Sequence, residues 1–251
     1  MPKRFFFRRP VEFVGEHRLP DGERIYAIGD VHGHLDCLTA MEERIAAHLR
    51  DHSPPASATV IFLGDYIDRG PASRAVIEHL VSRQFAGLPA RYLIGNHEDA
   101  MLRFLSNPRE GADWLSFGGV ATLASYGIWA GGAPGAGQLP AVARQLAERL
   151  PPSHLEFLQR LELFIHMDGF LFVHAGVRPG VPLAKQSRRD LLAIREPFLT
   201  SAEVFPWRVV HGHTIMDKVA VMPNKISLDT GAYATGLLSC AVIEGSEVQL
   251  L

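Results

Sequence analysis

Arg24-Ile25-Tyr26-Ala27-Ile28-Gly29-Asp30-Val31-His32-Gly33-His34 is an apolar run that stops at a glycine and turns polar within two residues. Its first five residues predict a short strand, and Gly29 to His34 predict a loop of carboxylate and imidazole side chains at the strand's end. Leu38, Met41, Ile45 and Leu49 then share one face of a helix over Leu35 to Leu49. The same pattern returns twice. Thr59 to Leu63 predicts a strand that opens into Gly64-Asp65-Tyr66-Ile67-Asp68-Arg69-Gly70. Pro71 suits the first turn of a following helix expected to run to about Phe85. A third strand, Ala90 to Ile94, ends at Gly95-Asn96-His97-Glu98. Three strand ends thus carry polar residues into strand-to-helix loops, where an open α/β sheet places its site.

Downstream, Asp113 to Tyr126 reads as a helix interrupted by Gly118 and Gly119, and Gly131 to Pro140 reads as an exposed loop. Two further helices, Ala141 to Leu150 and Ser153 to Arg160, make residues 128–162 a helical insert. From Leu163 the pattern changes to strands: Leu163 to Met167, Gly169 to Val173, Trp207 to Val210, Val219 to Met222, Lys225 to Ser227, Leu237 to Ile243 and Glu247 to Leu250. Turns at Asp168-Gly169, Pro223-Asn224 and Glu244-Gly245 favour antiparallel hairpins. A mixed α/β (α+β) β-sandwich with outer helices accounts for both halves. The expected organisation is a single domain over residues 24–251, preceded by an extension or strap at residues 1–23.

The chain of 251 residues is 47% hydrophobic and 21% charged, with a formal net charge of -2. This balance gives no support to a broad basic surface for nucleic acid. A small nucleotide or a phosphorylated protein stays open, because a metal site supplies positive charge locally. No apolar run reaches the length of a membrane span. Lys3, Arg4, Arg8 and Arg9 surround Phe5 to Phe7 without forming an export signal. The two cysteines, Cys37 and Cys240, form no CxxC pair, so a reducing compartment and a cytoplasmic location are expected.

Asp30, His32 and Asp65 offer two carboxylates and an imidazole; Asn96, His174 and His213 add an amide oxygen and two more imidazoles. Such an N/O donor set suits two divalent ions, Mn²⁺ first, with Fe²⁺/Fe³⁺ or Zn²⁺ as alternatives. The expected arrangement has Asp30 and His32 on one ion, Asn96, His174 and His213 on the other, and Asp65 bridging at a separation of roughly 3.5–4 Å. A bridging hydroxide would attack phosphorus directly, opposite the leaving oxygen. His97 is the expected general acid, with Asp68 holding its imidazole. Arg69 is a phosphate clamp, since a planar donor fork binds two oxygens, and Arg195 is a second clamp or a solvated surface arginine. Glu98 accepts a proton, organises a ligand or caps the next helix, and Asp229 to Tyr233 packs below the metals or bounds one side of the pocket, with a plain turn explaining Gly231 nearly as well.

The order Gly29-Asp30-Val31-His32-Gly33, Gly64-Asp65-Tyr66-Ile67-Asp68-Arg69-Gly70, Gly95-Asn96-His97-Glu98, His174-Ala175-Gly176 and Gly212-His213-Thr214 closely resembles the metal-dependent phosphoprotein phosphatases among the calcineurin-like metallophosphoesterases. The resemblance spans about Ile25 to Thr230. It implies a four-layer αββα sandwich, the six ligands named above, the Asp68–His97 acid pair and the arginines Arg69 and Arg195. His174-Ala175-Gly176 looks like bacterial members. Those resemble either protein serine/threonine phosphatases, the reading favoured by the compact chain and by Asp113 to Tyr126, or symmetrical bis(5'-nucleosyl)-tetraphosphatases, the alternative. The partners implied are a phosphorylated protein or peptide, a small phosphate ester or a dinucleoside polyphosphate.

Overall fold

Along its first strand the chain faces two cores in turn. Ile25 and Ala27 pack with Ile61, Leu63, Phe170 and Phe172, whereas Tyr26 and Ile28 pack with Val60, Phe62, Leu38 and Met41. Alternation with a period of two and apolar residues on both faces is the signature of a strand covered by a second sheet on one side and helices on the other. Each fully buried side chain of this size contributes about 2 kcal/mol. A one-residue slip of the strand would exchange its two faces and forfeit that fit.

The computed structural model describes residues 17–81, 84–128 and 134–251. Most of the expected strap, residues 1–16, therefore lies outside the described residues. The strands are β1 (Glu23–Ile28), β2 (Ser57–Phe62), β3 (Gln84–Phe85), β4 (Leu88–Tyr92), β5 (Phe164–Met167), β6 (Phe170–Val173), β7 (Arg208–His211), β8 (Ala220–Val221), β9 (Lys225–Ser227), β10 (Cys240–Glu244) and β11 (Glu247–Leu250). The helices are α1 (Leu35–Asp51), α2 (Ser73–Leu80), α3 (Asn96–Ser106), α4 (Val120–Ser125), α5 (Leu139–Arg149), α6 (Pro152–Gln159), α7 (Arg188–Ala193) and α8 (Ala232–Thr235). One sheet has the order β11-β10-β1-β2-β4-β3 and the other β5-β6-β7-β9-β8. β1, β2 and β4 run parallel, as do β6, β7 and β9, while the β5–β6, β8–β9 and β10–β11 pairs are antiparallel.

The four layers follow from the apolar clusters. α1, α2, α3, α5 and α6 cover the outer face of the first sheet. The two sheets share the middle core, and Leu191, Ile194, Phe198 and Phe205 cover Leu171, Val173 and Val209 on the outer face of the second. α5 and α6, the described part of the expected insert, join the outer helical layer: the Phe157 ring meets those of Tyr66 and Tyr92 at 5.8 and 5.0 Å.

Three of the differences from the expected boundaries have a local cause in the chain. α2 ends at Leu80 instead of continuing to Phe85, because Gly87 at φ 78° turns the chain so that Gln84–Phe85 pairs with β4. Phe85 there packs edge-on against Phe62 at 5.1 Å. β4 starts at Leu88 and stops at Tyr92, since Ile94 donates its N–H to Glu162 outside the strand ladder. β10 begins at Cys240 and not at Leu237, which is 66% exposed beyond the left-handed Gly236. Cys240 is buried, which raises its thiol pKa, and Cys37 is partly buried and free. Among the described residues no helix is long and apolar enough to cross a membrane.

Away from the loop ends, His48 of α1 hydrogen-bonds the Tyr26 hydroxyl through Nδ1 at 2.9 Å. Burial first, and then the charges of His52 and Arg24, push its pKa from 6.5 down to about 4. A histidine depressed by folding binds more protons when unfolded, so its contribution is complete above pH 6.5 and is lost as the pH falls to about 4. Replacing His48 by Gln is expected to flatten the Tm profile over that window in thermal denaturation scans. A profile parallel to that of the wild type would contradict the assignment.

Candidate dinuclear metal centre

The ends of β1, β2 and β4 and those of β6 and β7 bring the site together. Asp30 and His32 follow β1, Asp65 follows β2, Asn96 and His97 open α3, and His174 and His213 follow β6 and β7. Asp30, His32, Asp65, His97 and His174 are at most 2% exposed, whereas Asn96 and His213 are partly open to solvent.

The loop backbone is unusual in its conformation. His32, Asp65, Asp68, Arg69 and His213 all have φ between 46° and 72°, the left-handed region that non-glycine residues seldom adopt. The buried Glu98 carboxylate holds one such segment. It accepts N–H bonds from Asp65 (2.9 Å), Tyr66 (2.8 Å), Ile67 (3.2 Å) and Gly95 (3.0 Å), so its role extends beyond capping α3. Burial, together with the Asp65 charge, pushes its pKa up to about 7. Close approach accounts for two glycines: a Cβ on Gly95 would lie 2.0 Å from Asp65 Oδ1, and one on Gly212 would lie 2.1 Å from Asp30 Oδ1.

The histidine tautomers follow from their acceptors. His32 Nδ1 lies 2.9 Å from the Ile67 carbonyl and His174 Nδ1 lies 2.7 Å from the Leu63 carbonyl. A carbonyl only accepts, so each Nδ1 carries the proton and each ring, in its neutral form, presents a lone pair at Nε2; His174 Nε2 faces the Asn96 oxygen at 3.0 Å, so it would reach that form by giving up its second proton to make room for a cation. This is the orientation that backbone acceptors impose on metal-binding imidazoles. Buried Nε2 atoms of His32 and His213 have no hydrogen-bond partner. Asp65 faces both sides: Oδ2 lies 3.6 Å from His32 Nε2 and 3.7 Å from His97 Nε2, and Oδ1 lies 3.4 Å from His174 Nε2. Two groups of donor atoms thus share Asp65, one with His32 and His97 and one with His174 and His213, each within 4.8 Å.

The Asn96 side-chain oxygen lies 3.0 Å from His174 Nε2 and 2.8 Å from His213 Nδ1, in the second group. Asp30 stands beside the two groups instead of completing either, and its carboxylate accepts the His213 N–H at 3.0 Å. The orphaned Nε2 atoms, the shared carboxylate and the N/O donor set fit two divalent cations.

Charge balance points the same way. Burial, then repulsion from Asp229, raises the Asp30 pKa well above its ordinary value. Burial pushes His32 and His213 down to about 3. At His174 burial is outweighed by Asp65 and Asp30, and the pKa rises to about 10. Buried carboxylates of this kind require a positive partner.

His97 Nδ1 lies 2.7 Å from Asp68 Oδ2. Burial opposes protonation of His97, but the Asp65 charge and then Asp68 outweigh it and raise its pKa. Asp68 is itself buried and accepts from Trp114 Nε1 at 2.7 Å and Thr122 Oγ1 at 2.5 Å. Gly118, at φ 129°, bends the chain between these two donors where a Cβ would lie 2.9 Å from Arg69 N. The exposed Arg69 places Nη2 3.3 Å from His97 Nε2 and its guanidinium 4.6 Å from the Tyr233 ring. Arg195 is exposed and lies on the wall of a neighbouring groove, with its charge reaching His213.

Sequence reasoning left Trp114 and Thr122 without roles, and for Asp229 to Tyr233 it set one side of the pocket against a plain turn without assigning catalysis. Tyr233 lies on α8, where a turn was one reading, and its ring meets His32 at 5.5 Å. Trp114 and Thr122 sit in an apolar helical pattern that carries no polar cluster. The one available signal was the pair of glycines that breaks it.

The family model for calcineurin-like phosphoesterases matches residues 23–236. The chain belongs to that family. It is 24% identical over 231 residues to the asymmetrical bis(5'-nucleosyl)-tetraphosphatase PrpE of Bacillus velezensis, covering 81% of this chain and 82% of that one. It is 27% identical over 258 residues to the symmetrical bis(5'-nucleosyl)-tetraphosphatase of Janthinobacterium sp., covering 85% and 90%. The fold is shared with the cold-active protein-tyrosine phosphatase of a Shewanella species (TM-score 0.58, 15% identity, 92% and 80% covered). It is also shared with a candidate diadenosine tetraphosphatase (TM-score 0.60, 20% identity, 90% and 92% covered).

Converting Glu98 to Gln replaces one acceptor oxygen with a donor and leaves two of its four N–H groups unmatched. The expected cost is on the order of 3 kcal/mol, read as a lower urea midpoint. An unchanged midpoint would show that the carboxylate does not hold the loop.

Proposed function

We propose that this metal-dependent phosphoesterase hydrolyses the polyphosphate bridge of dinucleoside polyphosphates. The observation that carries the hydrolytic part is Asp65, whose two oxygens face two separate groups of donor atoms. The relatives' names support the substrate: both are bis(5'-nucleosyl)-tetraphosphatases and each aligns over more than 80% of this chain. They favour a nucleotide polyphosphate over the phosphoprotein that the motifs first suggest.

In this reading Asp30, His32, Asp65, Asn96, His174 and His213 hold two divalent cations, with manganese the expected pair. Such ions supply a water of lowered pKa and neutralise phosphate oxygens. Arg69 presents its donor fork to the equatorial oxygens of the reacting phosphate. As the water oxygen bonds to phosphorus and the bridging P–O bond breaks, His97 Nε2 delivers a proton to the leaving oxygen. Asp68 keeps the His97 Nδ1–H aligned and stabilises the charged ring.

The test is kcat/KM of the manganese-supplied wild type and of His97→Ala on diadenosine tetraphosphate and on a phosphoserine/phosphothreonine peptide. The wild type is expected to prefer the dinucleotide, and preference for the peptide would overturn the substrate. Loss of the acid is expected to lower kcat on the peptide ester by about 10²–10⁴-fold. The loss is smaller on the dinucleotide, whose leaving phosphate departs as a stable anion. Equal losses on both substrates would overturn the acid role.

A further inference from the structure

Beside the metal centre, on the His213 side, lies a groove of about 480 Å³ lined by Arg178, Ser187, Arg189, Asp190, Arg195 and Glu196, among others. Its two acids already have partners. Asp190 accepts a two-pronged bond from Arg178 at 2.9 and 2.6 Å, and Glu196 accepts the Thr200 hydroxyl at 2.5 Å. The side chains of Arg189 and Arg195 make no hydrogen bond or ion pair with any described residue. Three arginines against two acids leave a net positive charge, and the Arg189 and Arg195 guanidinium groups are not locked in an ion pair with either acid.

The wall is tied to the catalytic loop. Arg188, the neighbour of Arg189 on α7, turns away from the groove and makes two bonds to Asp99 of α3, at 2.9 and 2.8 Å. The same helix opens with Asn96 and His97. The groove therefore keeps a fixed position relative to the site of reaction, and Arg195, on the groove's wall, is close enough for its charge to act on His213.

We infer that this groove binds the distal phosphates of a polyphosphate chain whose reacting phosphate occupies the metal centre, and that Arg189 distinguishes long polyphosphates from single phosphate esters. The inference rests on the dinucleoside polyphosphate reading above. A single ester needs only the cations and Arg69, and leaves Arg189 without an anion. A polyphosphate continues past the reacting atom with a charge on each further phosphate, and guanidinium forks match those oxygens two at a time. Exposure to solvent makes the contact sensitive to salt.

The experiment is calorimetric binding of inorganic tripolyphosphate and of orthophosphate to the metal-loaded protein, alongside KM for diadenosine tetraphosphate. Arg189→Ala is expected to weaken tripolyphosphate about tenfold and to raise KM for the dinucleotide. Orthophosphate should keep its affinity within about twofold. Arg189→Lys should restore most of the loss. Arg144→Ala, which removes an exposed arginine from α5, serves as the charge-matched control and should leave both affinities in place. Equal weakening of orthophosphate and tripolyphosphate by Arg189→Ala, or no weakening of either, would overturn the inference. So would an effect confined to an acidic phosphopeptide. A wild type without turnover of diadenosine tetraphosphate removes the reading beneath the inference. A wild type that turns it over, with Arg189→Ala unchanged in KM and in tripolyphosphate affinity, removes the groove assignment alone.

Discussion

Four backbone N–H groups, from Asp65, Tyr66, Ile67 and Gly95, converge on the buried carboxylate of Glu98. They bind the loop after β2 to the start of α3, the two segments that carry Asp65, Asp68, Asn96 and His97. The loop needs Asp65, Asp68 and Arg69 in left-handed conformations, at roughly 1–3 kcal/mol each. Hydrogen bonds to a charged acceptor contribute roughly 1.5–3 kcal/mol each, so four of them can sustain that backbone. From Asp65 the constraint passes to the histidines on either side. From Asp68 it passes to His97 through a 2.7 Å hydrogen bond.

The layered fold makes such a concentration of charge tolerable. Alternation along β1 and β2 packs both faces of the first sheet, while the strand ends from both sheets meet in a single cluster of loops. Asp30, Asp65 and Asp229 are all buried there, and burial first, then repulsion among them, raises the pKa of Asp30 and Asp229. Imidazoles fixed by backbone carbonyls present nitrogen lone pairs to the same space. A pair of cations held there would relieve the repulsion and use the lone pairs, which would make metal binding and the stability of the loop cluster one problem.

Much of this was legible in the sequence because it is local. Gly29-Asp30-Val31-His32 and Gly64-Asp65 announce a strand end by an abrupt change of polarity, and the alternation of Val60, Ile61, Phe62 and Leu63 carries the sheet. Contacts made at long range were harder to read. Phe85 looked like one more apolar residue on a helix, and only the turn at Gly87 and the Phe62 ring make it an edge strand. Trp114 and Thr122 reach Asp68 across more than forty residues of chain, from within an apolar pattern. Glu98 had two local readings, since a glutamate in the first turn of a helix is a routine cap, and the three N–H groups that decide its role come from another loop. Arg195 was visible as an arginine, but its groove depends on how α7 folds against α3.

The most direct measurement is metal stoichiometry: titrate metal-stripped wild-type protein and Asp65→Asn with Mn²⁺ and count bound ions per chain by calorimetry and elemental analysis. If Asp65 serves two sites at once, the wild type binds two cations and the variant loses affinity at both. A wild type that saturates with one cation, or a variant that loses one site and keeps the other intact, would contradict the dinuclear account.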